Sequence, residues 1–407
     1  MASREDRWQK TITGPDGKPG KTRTARWGKG SRYRVHYVDP DGRQRSKSFD
    51  RAVEADRFKA TVETDILRGT YIDPDAGRIK FSSYAEQAIS TRTLDEGTRD
   101  LMRRRLAKNV YPVIGGKPLG QLARSPSLIQ ALIARLRKDM ADSSAQVVMV
   151  YVSTVFNCAV ADERITRNPC KARSVTLPRP AKRKIVPWTA GQVAAVRATL
   201  PGPCQAMVDA GAGLGLRYGE AVALSPDDVD WLRGVVHVRR QIHIVCDRLV
   251  FGPPKGRKER DVPLAQYVKL ALAGSLRQFP AVAVTLPWRV PGGDPVTVPL
   301  IFTRSRGRAW MPERFNEHVW RPARRAAGIP DTRDNGFHAL RHFFASTLLH
   351  NGESIKAVQA WLGHASARTT LDLYGHMMPG SEDRTRGIID AALSAPDCPD
   401  VAREGGK

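Results

Sequence analysis

Apolar and polar residues alternate one by one in RYRVHYV (32–38), with Tyr33, Val35 and Tyr37 on one side and Arg32, Arg34 and His36 on the other. That period of two predicts a strand with one buried face. The turn signal DPDG (39–42) and the run RQRSKSF that follows it complete a hairpin. The period then lengthens. RAVEADRFKATVETDILRG reads as a helix with Asp50 as its N-cap and Gly69 at its close. Residues 23–70 are therefore expected to form an α+β unit, a small sheet with one helix, and the polar residues 1–22 a flexible N-terminus.

After YIDPDAGRIK (71–80) the pattern is helical throughout. SLIQALIARLRKDM and SSAQVVMVYVSTVFNCAVADERI have apolar positions near the 3.6 spacing, so residues 81–170 read as an all-α four-helix domain. A linker at 171–187 follows. The stretch NPCKARSVTLPRPAKRKIVP that contains it has four prolines, six Lys/Arg and no acid. Residues 188–393 form a third unit, mixed but mainly α. It has helical text, two strand-like runs (VVHVRRQIHIV and DRLVFG), and then four helical segments from PERFNEHVWRPARRAAG to TTLDLYGH. An apolar stretch, RGIIDAALSA, lies beyond them, and 394–407 reads as a frayed tail. No repeat recurs at a fixed period. The fold class is thus multidomain, mainly α with small β-sheets.

Charge changes this picture. The 407 residues carry a formal charge of +25, a field that attracts polyanions, nucleic acid first among them. Residues 1–51 alone hold 14 Lys/Arg against 6 Asp/Glu. Arg32, Arg34, Arg43, Arg45 and Lys47 in the first unit, Arg183 and Lys184 in the linker, and Lys258 in a later turn are the basic residues expected to touch DNA. Five scattered cysteines without CxxC spacing argue against a disulfide framework and a structural zinc site, and fit a reducing, cytoplasmic compartment. No signal peptide or membrane span is expected.

Four segments of the third unit carry chemistry-capable side chains. In GLRYGEAVAL (215–224), Arg217 opens a helix, where an anion is favoured. The alternative is a surface arginine paired with Glu220 three residues on. GAGLG (211–215) lacks a preceding strand and the full phosphate-loop spacing, which excludes nucleotide binding there. GPPKGRKERDVPL (252–264) is a basic turn, either an exposed hairpin tip or a loop whose Lys255 protonates a leaving oxygen. HALRH (338–342) puts His338 and Arg341 on one side of a helix. Its two histidines lack the glutamate and third ligand of a zinc site, so no metal is expected. LGHASARTTLDLYGH (362–376) holds His364 after a Leu-Gly turn and Tyr374 beyond it. Either residue alone reads equally well as structural.

Taken together, Arg217, Lys255, His338, Arg341, His364 and Tyr374 occur in one order with the motifs GLRxGE, KGRKER-x-VPL, HxLRH, LGHxS and Y-x-H. Over the whole third unit this resembles the tyrosine recombinase family, the phage integrases and their relatives. Some of those carry Trp where this chain has His364. The resemblance implies an N-terminal arm-type DNA-binding domain, a helical core-binding (SAM-like) domain and a catalytic domain of the DNA breaking-rejoining type.

It also implies roles. Arg217, Arg341 and His364 would hold the non-bridging oxygens of a phosphodiester. Tyr374 would attack to give a 3′-phosphotyrosyl link and a free 5′-hydroxyl. Lys255 would protonate the leaving oxygen, and His338 would accept or position the tyrosine proton. No cofactor or metal is implied, since the covalent link conserves the bond energy and side chains supply the cations. The implied partners are double-stranded DNA with core-type and arm-type attachment sites, further copies of the chain as a homotetramer, an excisionase and a DNA-bending protein, in the bacterial cytoplasm at the nucleoid. Two alternatives stay open: a type IB topoisomerase-like nicking-closing enzyme, and a DNA-binding regulator with an inactive recombinase domain.

Overall fold

The computed structural model describes residues 2–13, 19–40, 42–69, 71, 73, 75–179 and 186–374, with Arg386, Ile389, Asp390 and Leu393. The chain divides into two compact units, Met1–Pro180 and Ala181–Lys407.

The first unit opens with strands β1 (Ser3–Asp6), β2 (Gln9–Thr13), β3 (Pro19–Arg23), β4 (Tyr33–Val38) and β5 (Gln44–Phe49). β2 and β3 pair with each other, and β1 joins the expected β4–β5 hairpin in an antiparallel sheet of order β1-β4-β5. Much of the described part of 1–22, expected to be flexible, is therefore placed in strands. Asp6 anchors them by accepting from the Trp8 and Gln9 N–H groups and from Arg32. SRED has no apolar alternation to betray a strand, because it gains its place from ladder bonds and charge pairs. Helix α1 (Ala52–Leu67) covers one face of the sheet, where Val35, Tyr37, Ala55 and Val62 are buried. Its N-cap is Arg51, without a side-chain bond, rather than Asp50.

The helical part comprises α2 (Phe81–Thr91), α3 (Glu96–Asn109), the short α4 (Leu119–Arg124), α5 (Pro126–Asp139) and α6 (Asp142–Ala161). By length and composition α6 could cross a membrane. Its buried residues Ala145, Val148, Met149, Val152, Val155, Phe156 and Ala159 recur every three or four positions and form one wall of this domain's core.

The second unit begins with α7 (Ala190–Thr199), capped by Thr189 and Gln192, then α8 (Gly202–Leu214) and the one-turn α9 (Tyr218–Ala221). The run VVHVRRQIHIV is not one strand. It splits into β7 (Val235–Val238), which pairs with β6 (Val229–Asp230) and β10 (Arg260–Pro263), and β8 (Gln241–Val245), which pairs with β9 (Arg248–Gly252). The break falls at Arg239–Arg240, where Arg240 turns to grip buried Asp228 with both terminal nitrogens. After α10 (Gln266–Gln278) comes a hairpin not foreseen from the sequence, β11 (Val282–Pro287) with β12 (Pro295–Leu300). The remaining helices are α11 (Pro312–Phe315), continued through a five-residue π turn into α12 (Arg321–Ala326), then α13 (His338–His350), α14 (Ile355–Leu362) and α15 (Ala367–Tyr374). One core runs through the unit, with Phe315, Trp320 and Phe337 clustered near its centre.

Candidate active site

Two helix ends build the site. α8 stops at Gly215, whose φ of +61° is left-handed, and a Cβ there would meet the Phe344 ring at 2.5 Å. α14 stops in the same way at Gly363, with φ +62°. Each end leaves carbonyls with no helical partner. Arg341, on the first turn of α13 and fully buried, fills them. Its Nη1 donates to the Gly215 carbonyl (2.7 Å) and its Nη2 to the Leu362 carbonyl. Its Nε is buried without a hydrogen-bond partner. Burial and the neighbouring Arg217 lower the pKa of Arg341 to about 9, which leaves the group cationic at neutral pH.

Arg217 caps α9 and donates from Nη1 to Glu220 Oε1 (2.8 Å) and from Nη2 to the Gly363 carbonyl (3.4 Å). The expected pairing with Glu220 is present. Glu220 is shared with Arg260, which donates to both its oxygens (3.0 and 2.6 Å) and from Nε to the Trp361 carbonyl (2.6 Å). Burial alone would raise the Glu220 pKa, but Arg260 and Arg217 hold it down to about 2. Two guanidiniums thus share one carboxylate with Arg341 close by, and the excess positive charge suits an anionic ligand.

Three histidines and Tyr374 close the cluster. His364 Nδ1 lies 3.0 Å from the Thr370 hydroxyl. With Thr370 donating to Nδ1, the ring proton sits on Nε2, free to donate to a phosphate oxygen. Burial, then Arg341 and Arg217, lower the pKa of His364 to about 4. His338 keeps an exposed edge, and partial burial with His342, Arg341 and Arg217 around it lowers its pKa too. Tyr374 is only 1% exposed, and its hydroxyl lies 2.6 Å from Nδ1 of His342. Burial raises the tyrosine pKa to about 12, so the hydroxyl is protonated and closed off from solvent.

The structure therefore brings Arg217, His338, Arg341, His364 and Tyr374 together. It leaves Lys255 exposed on the β9–β10 loop, with Lys258 beside it. The loop is tied down behind them, at Arg260 and by the bond from Gln241 Nε2 to the Pro253 carbonyl (2.9 Å). Sequence reasoning missed Arg260, which was read only as part of a basic turn. It also missed His342, seen only as half of a failed metal pair.

The basic residues of the first unit fall differently from expectation. In the β4–β5 register Arg45 lies opposite Tyr37 and Lys47 opposite Val35, so both stand on the face that α1 covers. Arg45 is bound by Asp39 and Asp73, and the Lys47 ammonium sits 4.7 Å from the centre of the Phe58 ring. Arg32 is clamped by Asp6 through Nε and Nη2. Arg34 remains on the uncovered face with His36, and Arg43 is exposed. Arg183 and Lys184 lie outside the described residues, as do His376 and most of RGIIDAALSA.

Residues 194–379 match the phage integrase family and residues 81–174 the phage integrase central domain. The integrase of Mycobacterium phage D29 is 25% identical over 390 residues, covering 93% of this chain and 98% of that protein. The integrase of Mycobacterium phage L5 is 24% identical over 385 residues, covering 91% and 96%. The fold is that of the Tn1549 transposon integrase solved with a circular intermediate DNA (TM-score 0.62, 19% identity, 77% of this chain and 99% of that one). It is also that of the lambda integrase tetramer bound to a Holliday junction (TM-score 0.54, 17% identity, 83% and 91%).

Proposed function

This chain belongs to the phage integrase family, and from that premise we propose that Tyr374 is the nucleophile with which it cuts and rejoins DNA. The protein is a tyrosine-family site-specific recombinase that integrates phage DNA. The observation that carries the residue assignment is the setting of Tyr374 beside Arg341, a buried guanidinium held, among the described residues, by two carbonyls alone and with its Nε unfilled.

A phosphodiester is anionic, and its transition state spreads more charge over the non-bridging oxygens. Arg341 and Arg217 offer N–H donors to those oxygens, and His364 adds one from Nε2. Arg260 and Glu220 keep Arg217 in place. Tyr374 attacks phosphorus, the bond to the 5′-oxygen breaks, and Lys255 delivers a proton to that oxygen once DNA brings the β9–β10 loop to it. A 5′-hydroxyl from a second duplex reverses the step. Double-stranded DNA is the substrate, and assembly of four copies on paired sites, with an excisionase and a bending protein, extends this reading.

A nicked duplex that loses its short cleaved fragment traps the covalent intermediate. The wild-type chain should give a protein–DNA band on a denaturing gel, and Tyr374→Phe none, with equal affinity for the duplex. An adduct formed by the Phe variant would refute the assignment. Running the same proteins on paired sites and on supercoiled plasmid separates strand exchange from simple nicking-closing.

A further inference from the structure

The geometry points to His342, rather than His338, as the group that takes the proton from Tyr374 when the phosphotyrosyl bond forms. The inference rests on Tyr374 being the nucleophile. Nδ1 of His342 is 2.6 Å from the tyrosine oxygen, within hydrogen-bond reach of the proton it would remove. The two rings are 5.6 Å apart. His338 meets His342 edge-on at 4.7 Å and opens toward solvent, where a phosphate oxygen would lie.

The surroundings of His342 keep it a base. Arg341 and His338 share its helix, Tyr374 reaches it from α15, and Asp334 acts on it from the turn before α13. Burial, then Arg341, lower its pKa to about 4, with Asp334 opposing. At neutral pH the ring is therefore uncharged. With Nδ1 accepting from the tyrosine, its single proton is on Nε2. In the forward step the Tyr374 oxygen bonds to phosphorus, its proton passes to Nδ1, the P–O5′ bond breaks, and O5′ takes a proton from the general acid. His342 ends as an imidazolium and returns its proton to the tyrosine when the link is resolved. A His342–Tyr374 bond also holds the nucleophile in the closed resting position.

The test is single-turnover adduct formation on the nicked duplex as a function of pH. His342→Asn removes the titrating group while keeping an acceptor near Nδ1. Its rate should fall about 10²-fold at neutral pH and climb with pH into the alkaline range, where hydroxide removes the tyrosine proton. DNA affinity and thermal midpoint should stay as in the wild type. A substrate with a 5′-bridging sulfur, whose thiolate leaves unprotonated, should rescue Lys255→Ala but not His342→Asn.

A wild-type rate for His342→Asn, rescue of that variant by the sulfur substrate, or an alkaline profile in His338→Asn instead would overturn the proposal. If His342→Asn does not fold, His342→Gln is read in the same way. An adduct from Tyr374→Phe would instead strike the nucleophile assignment, so the two failures are distinguishable.

Discussion

The arginines of the N-terminal sheet and those of the active site differ in what answers their charge. Arg32 is gripped by Asp6, and Arg45 by Asp39 and Asp73. There a carboxylate meets both of these guanidiniums and their charge is largely answered inside the fold. In the active site Arg217, Arg260 and Arg341 have one bonded carboxylate among them, and Arg341 has only carbonyl oxygens. Exposure does not mark an arginine suited to binding, since Arg341 is the more buried. Incomplete pairing does. A guanidinium carries five N–H donors, and a site that fills two of them and none with a carboxylate holds its charge ready for a ligand.

The sharpest way to break this contrast is Arg341→Lys. An ammonium keeps the charge, but its three donors sit on one nitrogen and cannot reach both carbonyls as two separate nitrogens do while presenting a planar fork to a phosphate. Adduct formation should drop on the order of 10³-fold in single-turnover assays. Wild-type turnover by this variant would remove the clamp.

Glu220→Gln comes next. It leaves Arg260 and Arg217 buried or half-buried without their counter-charge, and should cost about 3–5 kcal/mol in denaturant unfolding. The same carboxylate sets an acid limit. Its folded pKa of about 2 lies below the ordinary glutamate value of 4.5, so its contribution is complete above that upper value and fades as pH falls toward about 2. Stability measured across this window should slope downward toward acid in the wild type and flatten in Glu220→Gln.

The smallest effects belong to the sheet. Arg32→Ala should lower the denaturant midpoint only slightly, because its pair with Asp6 is partly exposed, while leaving the salt dependence of DNA binding unchanged. Arg34→Ala should do the reverse. Its stability should be unchanged, and the slope of log K against log salt should be shallower by about 1. Equal behaviour of the two variants would erase the distinction between paired and available arginines.

Much of this was legible in the sequence, for identifiable reasons. Val35 and Tyr37 announce the buried face of β4 by alternation, and the 3.6 spacing in α5 and α6 announces the helical domain. Other features depend on partners far along the chain. Arg45 and Lys47 read as cations of the open face until the register sets them opposite Tyr37 and Val35, on the side of α1. The break between β7 and β8 is imposed by Asp228, which precedes it by eleven residues and lies on another element. β11 and β12 carry an alternating Val/Thr signal between Pro-rich ends, readable in principle but short. In the site, Arg217, Arg341, His364 and Tyr374 stand out by motif. His342 does not, because only the packing of α15 on α13 shows which histidine of HALRH meets the hydroxyl.

Gly215 and Gly363 carry no functional group, yet they explain why glycine precedes arginine in GLR and histidine in LGH. Each ends a helix so that its last carbonyls converge on Arg341 or Arg217. A helix end carries roughly half a negative charge, so two such ends can steady a cation without cancelling it as a carboxylate would. The ligands of Arg341 are therefore main-chain atoms, present whatever side chains surround them. A scan that trims side chains to alanine one at a time would pass over the seat of the cation proposed to hold the phosphate. It would register there only as the backbone strain of a Cβ at two glycines, and that signal would look like a folding defect rather than a catalytic one.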